Sequence, residues 1–133
     1  MLTKIIRFRA FWQVLSLAWF ATVVGFSFAK GAGLAKAELR TLESFAGGDL
    51  ALHVWVAGLM AFLAIMAVPL RWLDGYLFRL FSPVFLILIF GCLLDELLQQ
   101  YIPTRHFSWL DFLASFSGLV IGNSTALLLR SRL

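Results

Sequence analysis

Four stretches of this chain are apolar almost without interruption, and the connections between them are mostly short and polar. A basic tail with Lys4, Arg7 and Arg9 leads into Phe11 to Ala29. A second run extends from about Leu50 to Val68 and closes at Pro69. A third begins near Phe81 and stays apolar through Leu94, and a fourth runs from about Trp109 to Leu129, followed by Arg130 and Arg132. At about 1.5 Å per residue, such runs match a hydrocarbon core about 30 Å thick. The pattern predicts an all-α integral membrane four-helix bundle, with helices at about 11–29, 50–68, 81–100 and 109–129 in one domain spanning 1–133. Ser27-Phe28-Ala29 has the small-x-small form of a signal cleavage site. The apolar run before it is longer than a signal core, which has roughly 7–15 residues. A retained first span is therefore expected.

The longest polar connection, Lys30 to Asp49, has a pattern of its own. Ala35, Leu39, Leu42 and Ala46 recur at helical spacing, while Lys36, Arg40 and Glu43 share another face. This predicts an amphipathic helix at the membrane interface between helices 1 and 2. Gly47-Gly48 would stop it, leaving Asp49 to cap the second span. In the fourth span, Ala114, Gly118, Gly122 and Ala126 recur every fourth residue, a ridge that lets a helix backbone approach closely in lipid. Ser115 and Ser117 can add hydrogen bonds between helices, and Asn123 needs a partner inside the bundle. Trp12 and Trp72 fit one interfacial belt and Trp55 and Trp109 the other; Trp19 fits neither.

Composition agrees with the pattern. The chain is 62% hydrophobic, with 14 Phe and 5 Trp among its 133 residues. A soluble domain is only about half apolar. The net charge of +4 is spread over tails and loops, which suits topological signals and argues against a nucleic-acid face. A single Cys excludes an intrachain disulfide and multi-Cys metal motifs. Lys and Arg number three in the amino tail, two in the 70–80 turn and two in the carboxy tail. The 30–49 connection has three and the 99–108 loop one, so the balance is seven against four. By the positive-inside rule both termini are cytoplasmic.

That topology gathers chemistry at one membrane face. The run from Asp95 to Asp111 places acids, amides, a guanidinium and an imidazole between two apolar segments, where hydrocarbon tolerates them poorly. Asp49 and His53, four apart, share a helix face, as do Glu96 and Gln99, three apart. Asp49, His53, Glu96, Gln99, Arg105 and Asp111 thus form the candidate binding set at the outer face. Asp95 points about 100° away from Glu96 and is set apart. Ser108-x-x-Asp111 is also a capping signature for the fourth helix. Arg105 is either a fork for Glu96, Asp111 or an anionic ligand, or an ordinary loop charge. His53, Glu96, His106 and Asp111 carry atoms suited to a metal, but no ligand spacing supports one, and no phosphate loop or nucleophile elbow is present. No metal or cofactor is expected.

These residues resemble the VanZ-like family of small bacterial membrane proteins. Its signature of an acid, two residues, Gln, Pro, a nearby Arg, an Asp and a glycine-spaced helix stands here as Glu96-Leu-Leu-Gln99, Pro103, Arg105, Asp111, Gly118 and Gly122. The family's upstream Asp-Lys-x-x-His element stands as Asp49-Leu50-Ala51-Leu52-His53. Leu50 replaces the Lys, Thr104 the Gly before Arg, and Ser115 the Asn four residues after the Asp. The resemblance implies a four-helix protein of the bacterial cytoplasmic membrane, in a family named for resistance to a lipid-tailed glycopeptide antibiotic. It marks the same six residues as the site.

Three functions follow as expectations. The first is binding of a lipid headgroup, a lipid-linked envelope precursor or a lipidated glycopeptide at the outer polar face, with Arg105 holding an anionic or carbonyl group. The second is an enzyme acting on a lipid-linked envelope substrate, with Glu96 or His53 as general base and Asp111 as its orienter. The third is a structural subunit docking a partner membrane protein through the Ala114–Ala126 ridge.

Overall fold

The computed structural model describes residues 2–73, 81–103 and 105–132; the 74–80 part of the expected turn, with Arg79, and Thr104 lie outside them. The described residues form five α-helices and no strand: α1 Leu2–Gly31, α2 Lys36–Ala46, α3 Asp49–Ala67, α4 Pro83–Gln99 and α5 Trp109–Arg130. Helix α1 starts well before residue 11 because the basic tail contains no Gly or Pro to break it.

The other boundaries follow local chemistry. Gly47 sits at φ 99° and ends α2, and the Gly48 amide donates to the Glu43 carbonyl at 2.7 Å. A left-handed residue followed by that bond is the Schellman exit, which glycine enters without strain. Gly48 then precedes α3 at φ 113°, so Asp49 is the first helical residue rather than its cap as expected. Val68 is extended before Pro69, as the residue ahead of a proline prefers, and α3 ends at Ala67. Ser82 caps α4 by accepting from the Phe85 amide at 3.3 Å. Pro83 takes the first helical position, where a missing N–H costs nothing.

Helix α3 is the hub, touching every other helix and packing most extensively on α5. These two run parallel: His53 lies beside Ser115, Gly58 against Gly118, and Val68 beside Arg130. Helix α1 runs antiparallel to α3, pairing Trp12 with Phe62, Trp19 with Val56 and Lys30 with Asp49. Helix α4 runs antiparallel to α5, bringing Phe85 to Phe116 and Glu96 to Ser108. The fourth-residue ridge is the close seam of the fold. A Cβ on Gly58 would stand 3.2 Å from the Gly118 carbonyl oxygen, and one on Gly122 would collide with the Gly58 carbonyl. Gly118, Gly122 and Ala126 are all buried against neighbours in the same chain, so they are not free to receive a partner.

The outside is apolar. Phe8, Phe11, Leu17, Phe20, Phe28, Trp55, Phe90 and Leu128 are among the large side chains left exposed, far more than a soluble monomer presents. Three helices are long and apolar enough to cross a membrane: Arg7–Gly31, Asp49–Ala67 and Trp109–Arg130. The chain is therefore an all-helical membrane protein. Trp19, which fitted no interfacial belt, lies between helices and donates its indole N–H to the Val56 carbonyl at 3.3 Å. On α2, Leu39 is buried against the bundle while Phe45 is 92% exposed.

Candidate functional site

Every acid among the described residues, Glu38, Glu43, Asp49, Asp95, Glu96 and Asp111, belongs to the end of the bundle where α1 and α4 finish and α3 and α5 begin. The convergence expected from topology is thus present. Its internal pairing differs from the pairing read in the sequence.

The centre is His53, on the second turn of α3. Its Nδ1 lies 3.2 Å from the Ser115 hydroxyl of α5, and its Nε2 lies 3.9 Å from Asp111 Oδ2. Parallel α3 and α5 bring these residues level, and the glycine seam one turn deeper holds the helices close enough for them to meet. One ring nitrogen is hydrogen-bonded and the other faces a carboxylate just beyond bonding distance, an arrangement that can accept or release a proton. Asp49 is one turn before His53 on the same face. One ligand atom from each of Asp49, His53 and Asp111 lies within 4.8 Å of the others. One imidazole and two carboxylates are the donor set of a borderline divalent metal such as zinc rather than of a hard cation, although the Lys30 ammonium, 3.1 Å from Asp49 and 2.9 Å from Glu43, already supplies positive charge there.

Glu96 comes from α4 and is only 2% exposed. Its Oε2 accepts from the Ser108 amide at 3.5 Å, while the Ser108 hydroxyl accepts from the Asp111 amide at 3.2 Å. In a reciprocal capping box, the acid three residues into the helix would itself take the cap amide. Here Glu96 takes that place, which leaves the Asp111 carboxylate turned toward His53. The capping signature is therefore half of the arrangement, and the other half comes from a distant helix. Ser108→Ala is expected to destabilise the fold by about 1 kcal/mol, seen as a lower thermal midpoint in detergent, with Ser108→Asn close to wild type.

Arg105 does not pair with Glu96 or Asp111. Ion pairs among the described residues are limited to Lys30 with Glu43 and Asp49, and His53 with Asp111. The Nη1 of Arg105 is buried without a hydrogen-bond partner among the described residues. Gln99 is 3% exposed and donates to Asp95 Oδ2 at 2.8 Å, so it is engaged by the acid set apart in the sequence rather than by Glu96. Asp95 in turn accepts from the Ser27 hydroxyl of α1 at 3.2 Å. His106 is exposed and stands outside the cluster. Phe107 packs edge-on against Trp109, ring centres 4.9 Å apart, and Tyr101 is exposed. Asn123, deeper in α5, is fully enclosed and neither side-chain polar atom has a partner among the described residues.

Two contributors escaped the sequence reading. Lys30 counted only as a topological charge, yet it bridges α1, α2 and α3 through Glu43 and Asp49. Ser115 counted as a packing serine and as a departure from a family pattern, yet it orients the imidazole. The signal for Lys30 was its place at the end of the first span, level with Asp49. No family model, curated protein or solved structure matches this chain.

Proposed function

We infer that this chain is a VanZ-like protein of the bacterial cytoplasmic membrane that crosses the bilayer four times and binds a headgroup at its polar end. Helix α4 has 17 residues. At the α-helical rise it is about 26 Å long, enough for the fourth crossing once its polar last turns enter the interface. The excess of Lys and Arg at the opposite end supports cytoplasmic termini and an outer-face His53 cluster. The ligand class is an anionic lipid headgroup, a lipid-linked envelope precursor or a lipidated glycopeptide.

One observation carries this reading: the buried Nη1 of Arg105 has no acceptor among the described residues, although several acids occupy the same end of the molecule. A buried charged donor left unmet costs about 1–3 kcal/mol or more, and a phosphate, carboxylate or carbonyl from a ligand would remove that cost. Phe107 and Trp109, two and four residues beyond Arg105, add aromatic surface at the same end, where α2 would lie along the membrane interface. Arg105→Ala is expected to weaken binding of the full-length protein in nanodiscs to a lipid-linked envelope precursor by about 10–100-fold, equivalent to about 1.5–3 kcal/mol. Arg105→Lys should recover part of that loss. Unchanged affinity in a folded Arg105→Ala protein would remove the reading.

The second reading is an enzyme on the same substrate class. It is favoured by the His53 ring held between Ser115 and Asp111, which makes His53 rather than the enclosed Glu96 the general base. Turnover lost in His53→Gln with precursor binding retained would select it.

A further inference from the structure

The opposite end of the bundle carries the reverse problem. Arg7, Arg9, Arg71, Arg130 and Arg132 gather there, and no acid among the described residues accompanies them. Arg130 is accounted for, because it donates to the Ile65 and Val68 carbonyls at the end of α3. Arg9 is not. Its Nε is buried without a partner among the described residues, and it lies close enough to Arg130 for the two charges to repel.

Arg9 lines a groove of about 510 Å³ between α1 and the chain leaving α3, together with Gln13, Leu17, Val68, Arg71 and Trp72. Its composition is graded. Two guanidinium groups and an amide offer donors, while Leu17, Val68 and the face of Trp72 offer apolar surface. The level in the bilayer is set by the fold: the apolar run of α3 stops at Ala67, and Arg71 lies about one turn beyond it, where phospholipid phosphates lie. Trp72, half exposed, sits where interfacial tryptophans anchor.

We propose that this groove is a binding site for the phosphodiester of an anionic glycerophospholipid, held by Arg9 and Arg71 with an acyl chain lying along Leu17 and Val68. A phosphate oxygen supplies the acceptor that Arg9 lacks and offsets its repulsion with Arg130. The adjoining apolar strip favours a lipid over a soluble anion, because a free phosphate would leave it without a partner. The site is independent of the His53 cluster, which lies at the other end of the bundle.

The test uses the full chain in phosphatidylcholine nanodiscs doped with phosphatidylglycerol brominated on its acyl chains, or with equally brominated phosphatidylcholine, reading quenching of tryptophan fluorescence. The expected result is several-fold stronger quenching by the glycerol lipid, abolished in Arg9→Ala/Arg71→Ala and retained in Arg9→Lys/Arg71→Lys, which guards against misfolding. Arg7→Ala/Arg132→Ala removes two charges from the same end and should keep the preference. Equal quenching by the two lipids in wild type would overturn the proposal. So would loss of the preference in Arg7→Ala/Arg132→Ala, which would mark diffuse electrostatics, or displacement of the lipid by inorganic phosphate, which would mark a soluble-anion site.

Discussion

Gly122→Ala is expected to unfold much of the protein at temperatures where wild type is intact. A methyl at this position meets the Gly58 carbonyl, and both partners are backbone, so no side chain can turn aside to make room. Overpacking usually costs about 1–3 kcal/mol, and a rigid backbone contact belongs at the upper end of that range or above it. In lipid, contacts of this kind have no hydrophobic effect behind them, since acyl chains are as apolar as the helix surface; close approach of α3 and α5 must itself hold them together. The separation would also carry Ser115 and Asp111 away from His53, so binding or turnover should fall with stability. Gly91→Ala is the control, because its added Cβ meets nothing within 4 Å. Alanine in a helix is favoured over glycine by about 1 kcal/mol. Thermal unfolding in detergent that ranks the two variants alike would mean that the seam does not hold the fold.

Arg130→Met is the second large effect, and Pro69 explains why. In α3 the Ile65 carbonyl would ordinarily accept from the amide four residues on, but residue 69 is proline and has no N–H. The Arg130 guanidinium takes that role, bonding the Ile65 carbonyl and, at 2.8 Å, the Val68 carbonyl. Its positive charge also suits the negative end of the helix dipole. Removing it leaves two carbonyls without a donor beside the bundle core, at about 1–3 kcal/mol for each buried acceptor and about 3 kcal/mol together. Arg130→Lys, with a single ammonium in place of a planar fork, should recover only part of this. An Arg130→Met protein that melts with wild type would show that water or headgroups satisfy those carbonyls.

Much of the fold was legible in the sequence because each signal was local. Pro69, Gly47-Gly48 and Ser82-Pro83 act within a turn of the element they end or begin, so the apolar runs and the amphipathic helix came out near their observed limits. Helix α1 was drawn too short because charge was taken as an end signal, whereas an uninterrupted run of helix formers continues through Arg7 and Arg9. The Ala114–Ala126 ridge was readable as a seam from its four-residue spacing. Its partner was not readable, because Gly58 is the lone glycine of α3 and has Val54 and Phe62, not small residues, four positions to either side.

The candidate site divides along the same line. Alternating helix directions alone require Asp49, His53, Glu96, Gln99, Arg105 and Asp111 to reach one end, and the structure brings them there. Two residues on Gln99's side of α4 are in reach by helical spacing, Glu96 three before it and Asp95 four before it, and spacing does not choose between them. Gln99 turns to Asp95, while Glu96 turns to the Ser108 amide before the following helix, a partner that spacing along one helix does not show.

By itself the sequence determined that the chain lives in a membrane, which runs form its helices, and which end gathers most of the acids and most of the arginines, since these depend on runs, breakers and charge counts along one dimension. Which groups touch was decided only by tertiary structure. Contact between α3 and α5 depends on how closely two backbones approach, and that approach places an imidazole between a serine and an aspartate.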